Sequence, residues 1–357
     1  MNVTDIDKEI VYLIDKLKAI QNSNGGFETF FKQPYYNPDK GWMKFPDNAV
    51  FDTAWGLIPL LNIKTETARQ ILNKGVQYLL TTHNFKQKLW SYPILSKEYL
   101  HFYDLDSTAL SAYVLNAIGK KIANKQLLDE LIIKNNYPVF VYPKKYLKTI
   151  SLVDNICLYW HNTKVKKGAA FKRQLMHHTD TDVAVTFNTL LYMGKTSKNR
   201  TLVERVLQVI HQNTYNSLYY PTRFHVFYCM GRLKSHTQVF SKETIKIIEH
   251  QIQDLYNLYW ENSEQINRIL LLNTIYTFGL ADAEKYSALE DEVWMDIKES
   301  RCFDLLGIYS SNIKTDTQPG TNLPNTYFGS PAITCSLYLE FLNLYRKRFY
   351  GKYYGEE

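Results

Sequence analysis

Cysteine is scarce in this chain, and the four present (Cys157, Cys229, Cys302, Cys335) are widely scattered. No Cys-x-x-Cys pair and no Cys/His spacing of a zinc site occurs among them, which argues against a disulfide framework and a structural metal. Also missing is an unbroken apolar run near the start. Met1 to Gln21 carries acids throughout, which excludes a signal peptide or a membrane span there and makes the cytoplasm the simplest location. No Lys/Arg stripe is dense enough for nucleic acid. Lys164-Val165-Lys166-Lys167 reads as a solvated loop, and the formal charge of +7 leaves only a weak attraction to anionic membrane surfaces, a peripheral contact at most. No linker divides the chain, so residues 1–357 are expected to form a single domain, with 1–20 an N-terminal helix and 347–357 a C-terminal tail. No segment reads convincingly as a strand.

What the chain has in excess is aromatic: 28 Tyr, 18 Phe and 6 Trp make up 15% of it. Tyr carries most of that excess, so many rings bring a hydroxyl into apolar surroundings. Apolar residues at Ile6, Ile10, Leu13, Leu17 and Ile20 repeat at helical spacing, and a Gln21 to Phe27 turn with Gly25 and Gly26 ends that run. Further helices read at 52–61, 65–82, 104–118, 125–134, 149–160, from 183, and at 200–212, 222–233, 241–258, 263–278 and 331–346. Several open alike: Asp52-Thr53-Ala54, Asp104-x-Asp106-Ser107-Thr108-Ala109, Asp180-x-Asp182, Ser330-Pro331-Ala332. Eleven or twelve helices in about six degenerate hairpins describe an all-α repeat architecture.

Three Asp-x-Asp pairs occur (Asp5/Asp7, Asp104/Asp106, Asp180/Asp182), where composition alone predicts about one. The second stands at the head of an apolar helix, just after Trp90-Ser91-Tyr92-Pro93, and is followed within one turn by Ser107 and Thr108.

These motifs resemble the α/α-barrel superfamily of squalene–hopene cyclases, class II diterpene cyclases and protein prenyltransferase β-subunits. Gln21-x-x-x-Gly25-Gly26-Phe27 is similar to the repeat ends of that family. Asp104 to Ala109 matches its Asp-x-Asp-Asp-Thr-Ala acid motif except at Ser107. Tyr219-Tyr220-Pro221-Thr222-Arg223-Phe224 through Arg232, and Tyr327-Phe328-Gly329-Ser330-Pro331-Ala332, resemble segments of single-barrel relatives. The resemblance spans roughly residues 20–345 and implies one (α/α)6 barrel, since the length accommodates six inner and six outer helices.

The activity the resemblance implies is class II, protonation-initiated cyclisation of a linear polyprenyl substrate, a terpene or meroterpenoid cyclase. Asp106 takes the position of the general acid and Asp104 that of its partner, with Ser107 and Thr108 set to fix the carboxyl rotamers. A protonated cation then needs an unreactive wall, which aromatic faces supply. Trp90, Trp160, Tyr220, Phe224, Tyr327 and Phe328 are the candidates for that lining, with His178, Asp180 and Asn188 as polar substrate contacts. His178 or Tyr220 is the candidate for taking the last proton. The substrate is expected to be a hydrophobic isoprenoid or prenylated aromatic. No cofactor or metal ligand set is expected, and Mg²⁺ enters only with a diphosphate substrate.

Other readings of the same residues stay open. Asp104 can simply cap its helix. His177-His178-x-Asp180-x-Asp182 can be a metal cluster or, with an aspartate capping, a helix start. Asn188 and Thr189 can line a cavity or be satisfied core polars. A non-catalytic barrel that binds a lipid or a protein is the alternative function. A zinc-type prenyltransferase would have to use Cys302 and Asp304, with no His beyond His250.

Overall fold

The computed structural model describes residues 2–32, 43–44, 49–84, 86, 88–91, 103–132, 137–138, 140–141, 181–215, 217, 220, 222–236, 238–260, 264–280, 284–299, 307–310 and 327–356. Most of these residues are helical. In chain order the helices are α1 (Val3–Ile20), α2 (Val50–Leu57), α3 (Glu66–Thr82), α4 (Leu105–Ala117), α5 (Lys125–Glu130) and α6 (Val183–Met193). They continue with α7 (Arg200–Gln212), α8 (Arg223–His236), α9 (Lys242–Tyr259), α10 (Gln265–Phe278), α11 (Ser287–Glu299) and α12 (Pro331–Tyr350).

Odd and even helices are built differently. In α1 the buried residues are Ile6, Ile10, Leu13, Ile14 and Leu17, one stripe three and four apart, with charges on the far side. The same one-sided pattern recurs in α7, whose buried residues are Leu202, Val203, Val206 and Ile210. In α2 every residue is buried, and in α10 all but three are. A helix apolar all round needs neighbours on every side. The even helices have them. α2 packs on α4, α4 on α6, α6 on α8, α8 on α10, α10 on α12, and α12 returns to α2, a closed ring of six. Among the odd helices, α1 packs against α12 and α3, α3 against α2, and α11 against α10.

Polar side chains tie the ring. Ser336 Oγ donates to the Gly56 carbonyl at 3.0 Å, joining α12 to α2. Asn273 Nδ2 donates to the Leu337 carbonyl at 2.9 Å, joining α10 to α12. Each is buried, so the bond offsets a desolvation cost that an unpaired group would impose.

The Gln21 to Phe27 turn shows why its glycine is needed. Gly25 has φ +92°, and a Cβ there would stand 2.1 Å from the Lys74 carbonyl oxygen of α3. Gln21 Nε2 donates to the carbonyls of Gly25 and Ile71, both at 2.9 Å, so this motif welds α1 to α3.

The structure departs from the sequence expectations at several points. Short strands are present, β1 (Phe30–Lys32), β2 (Met43–Lys44), β3 (Tyr103–Asp104), β4 (Phe140–Val141), β5 (Gly307–Ser310) and β6 (Tyr327–Gly329). They form a sheet of order β2-β1-β6-β5 and a β3-β4 pair, all antiparallel. At two to four residues each they are too short to show a period of two. The helix expected over 52–61 stops at Leu57 and passes into a 3-10 turn at Pro59–Asn62, because proline has no N–H to continue the ladder. The helix read over 331–346 runs on to Tyr350, where Gly351 at φ +76° ends it. α11 was absent from the expectations, since Glu290, Asp291 and Glu292 break its apolar spacing. The helix read at 149–160 lies outside the described residues.

Candidate active site

The Glu28–Thr29 segment ties the start of α2 to that of α12, and Thr222 ties the start of α8 to that of α10, so ring-helix N-termini lie beside one another. Thr29 Oγ1 donates to Asp52 in the first turn of α2. Ser330, which caps α12, donates to the Glu28 carbonyl at 2.7 Å. Thr222, just before α8, donates to Asn267 in the first turn of α10 at 3.0 Å.

Asp104 and Asp106 stand at the N-terminus of α4. Asp104 is the N-cap of α4 and accepts the Ser107 amide at 2.7 Å, so the capping reading describes what it does. Asp106 lies in the first turn and is buried as deeply. Its two oxygens are held by groups far off in the chain. Asn188 Nδ2, from the middle of α6, donates to Oδ1 at 3.0 Å, and the Tyr220 hydroxyl donates to Oδ2 at 2.5 Å. Asn188 Nδ2 also reaches the Tyr220 hydroxyl at 3.0 Å, which closes a triangle. The Cys229 thiol of α8 lies against Asn188.

The electrostatics of the pair follow from this packing. Burial raises the Asp104 carboxyl to about 6, against the amide bonds of its cap. Asp106 is pushed well above the carboxylate range, first by burial and then by the charge of Asp104, with Tyr220 and Asn188 pulling the other way. The two carboxyls titrate as a unit, Asp106 being raised further than Asp104. Burial and the nearby Asp106 charge hold Tyr220 as a neutral phenol, a donor rather than a base.

Thr108 turns away from both carboxylates. Its Oγ1 accepts the Trp90 amide at 3.0 Å and donates to the Trp90 carbonyl at 3.3 Å. Trp90 itself is wholly buried, donates its indole N–H to the Leu79 carbonyl of α3 at 2.7 Å and packs on His83 at 4.1 Å between ring centroids. That places it in the wall between α3 and α4. Ser107 contributes its amide to the cap and is buried. Phe224 is buried in the first turn of α8, next to the Asp106 cluster in sequence through Tyr220. Tyr327 and Phe328 lie in β6, paired with Lys32 and Phe31 of β1. Trp160, His178 and Asp180 lie outside the described residues, as do His177, Cys302 and Asp304.

Asp182 caps α6, accepting the Ala184 and Val185 amides at 2.8 and 3.2 Å, and Ser217 Oγ donates to its other oxygen at 2.7 Å. Its charge adds to the forces that keep Asp106 protonated.

Sequence reasoning gave no functional role to four further ionisable groups, Asp52, His225, Arg232 and Glu340. Burial raises the Asp52 carboxyl to about 7, and Thr29 moderates it. His225 lies wholly buried with Nδ1 on Thr222 at 2.8 Å, and burial lowers it to about 3, a neutral ring. Arg232 and Glu340 form an ion pair inside the ring. The available signal was an ionisable residue within an otherwise apolar helix, at Arg232 beside Leu233 and at Glu340 between Leu339 and Phe341.

No protein-family model matches this chain, and no curated protein matches it at a significant level. Among solved structures it is similar to a protein from Actinoplanes, with a TM-score of 0.64, 10% identity, and 95% of this chain and 99% of that one covered. That likeness extends over nearly the whole of both chains and is one of fold. None of the described helices is long and apolar enough to cross a membrane.

Proposed function

We propose that the six ring helices and their outer partners make a single (α/α)6 barrel, and that Asp106 protonates a polyprenyl substrate to start a class II cyclisation. The closed order of contacts among the even helices supports the first part. The second rests on one arrangement: two buried carboxyls two positions apart at the start of α4, where burial and the charge of Asp104 both raise Asp106.

An alkene is a very poor base, so its acid must be neutral and dry. Asp106 meets both demands. Its conjugate base must then be tolerated, and two donors, Asn188 and Tyr220, already face its oxygens. The α4 N-terminus adds roughly 0.3–1 kcal/mol for the anion, more in a dry setting. Tyr220 and Phe224 offer aromatic faces to the cation, each worth about 0.5–2 kcal/mol depending on desolvation. The protonation needs no cofactor. If the substrate carries a diphosphate, Mg²⁺ accompanies it as part of the substrate.

One observation favours a non-catalytic barrel: the cap made by Asp104 and the satisfied oxygens of Asp106 also describe a purely structural polar knot. A product screen separates the two. Purified protein and Asp106→Asn are incubated with linear polyprenols, their diphosphates, squalene and prenylated phenols, and isomers of unchanged mass are sought by mass spectrometry. A cyclic isomer from the unaltered protein alone, lost by at least about a thousandfold in Asp106→Asn, is the expected result. Equal binding by both proteins with turnover by neither would leave a lipid-binding barrel.

A further inference from the structure

Asp182 closes the third Asp-x-Asp pair of the sequence. It is 3% exposed and stands at the start of α6. Its two carboxylate oxygens serve two different segments. Oδ1 accepts the Ala184 and Val185 amides and so fixes the first turn of α6. Oδ2 accepts the Ser217 hydroxyl at 2.7 Å, from the stretch that leads into α8. Ser217 Oγ in turn accepts the Tyr220 amide at 2.9 Å.

Both segments lead to Asp106. α6 carries Asn188, six residues beyond Asp182, and Asn188 Nδ2 donates to Asp106 Oδ1. Tyr220, three residues beyond Ser217, donates its hydroxyl to Asp106 Oδ2. The two donors also bond each other, so a shift of either moves the other. A further tie runs through the backbone. Phe140–Val141 pairs with Tyr103–Asp104, and Pro138 bridges Thr181, so one short segment joins the residue before Asp182 to Asp104.

Capping alone does not call for this arrangement. Asparagine or serine caps a helix about as well as aspartate, through a single acceptor oxygen. What the carboxylate adds is a second buried acceptor, and Ser217 occupies it. We propose that Asp182 is a positioning residue for Asp106: through the α6 cap and the Ser217 hydroxyl it holds Asn188 and Tyr220 together against that carboxyl. Its bearing on catalysis rests on the reading of Asp106 as the proton donor. The ionisable groups facing Asp106 are Asp104 from its own turn, Asp182 from α6, Tyr220 from the lead into α8 and Cys229 from α8. Tyr220 and Asn188 stabilise the Asp106 anion, so a donor let go leaves the carboxyl harder to ionise.

Ser217→Ala is the first variant, because it keeps the cap and the charge of Asp182 and removes only the bridge to Tyr220. The Asp106 titration is followed by carbon NMR of the aspartate carboxyls on the full chain, its signal assigned by its absence from Asp106→Asn. In Ser217→Ala that titration is expected to move up by about 1–2 units, the effect of one lost hydrogen bond to a carboxylate. For a substrate found in the product screen, kcat is expected to fall by about tenfold or more with KM little changed. Ser217→Thr keeps the hydroxyl and should restore both. Asp182→Asn caps but offers Ser217 no acceptor, and should lower kcat likewise. In a Tyr220→Phe background Ser217→Ala should add nothing, which a merely structural role would not produce. An unmoved titration in Ser217→Ala, or equal losses with and without the Tyr220 hydroxyl, would overturn the proposal. A titration that moves in a protein without turnover would uphold the positioning and remove only the acid reading.

Discussion

Asp52 and Asp106 occupy the first turns of adjacent ring helices, and the backbone around them is arranged in the same way. Each follows an outer helix that ends in a bridged turn, Gln21 with Phe27 and Asn84 with Leu89. In each a ring-helix threonine holds the aromatic residue of that turn: Thr53 Oγ1 accepts the Phe27 amide at 3.1 Å, and Thr108 Oγ1 the Trp90 amide at 3.0 Å. Aligned on these threonines, Asp52 falls where Ser107 stands, not where Asp106 does. Its carboxyl accepts from a neighbouring loop hydroxyl, Thr29. Asp106 instead meets a second carboxylate in its own helix turn and donors from α6 and the lead into α8. Burial alone takes Asp52 to about 7, and the added charge of Asp104 takes Asp106 further. One scaffold thus yields an acid that anchors a loop and an acid that keeps its proton.

The contrast is broken most directly by Asp52→Asn. Turnover of whatever substrate the product screen finds is expected to survive in Asp52→Asn and to vanish in Asp106→Asn. The same variant has a stability signature. Asp52 has its folded pKa raised, so its neutral form contributes fully below about 4 and that contribution is lost as pH rises through about 7. Urea melts at pH 4.5 and 8 should therefore show the unaltered protein losing on the order of a few kcal/mol more than Asp52→Asn between them.

Asp104→Asn sharpens the other half. Asparagine caps a helix nearly as well, so the fold should hold. Without the neighbouring charge the Asp106 pKa falls, and the alkaline decline of turnover should move to lower pH by about 1–3 units. A profile that does not move would separate the two carboxylates electrostatically. The smallest effects are expected where the two regions match. Thr53→Val and Thr108→Val each strand a buried amide, and each should cost about 1–3 kcal/mol in chemical denaturation. A large inequality would mean that the two turns are not equivalent.

Helix existence was readable where an outer helix repeats its apolar stripe, as α1 does from Ile6 to Leu17, and was missed in α11, where acids interrupt it. Ring membership was less so, since α2 and α10 are apolar on all sides and their periodicity is faint. Asp104 and Asp106 were visible as a local pair, and their cap geometry is local too. Nothing local announces that Asn188 and Tyr220, 82 and 114 residues further on, converge on one carboxyl. Asn188 was named as a polar substrate contact and Tyr220 as a lining ring or final base, neither as a partner of Asp106. Arg232 and Glu340 find each other across the ring, a relation that depends on which helices are neighbours rather than on spacing.

The join between α12 and α2 carries a consequence for how the protein is made. Ser330 reaches Glu28, Ser336 reaches Gly56, Arg346 pairs with Asp7, and β6 pairs with β1, all across some three hundred positions. At ordinary synthesis rates roughly a quarter-minute to a minute separates the appearance of α2 from that of α12. Throughout that interval the face of α2 that α12 covers stands bare on the ribosome, joined near its end by the matching face of α10. The late helix acts as a keystone, so a chain stalled before Pro331 would present a sticky open arc to chaperones and proteases rather than a smaller stable protein.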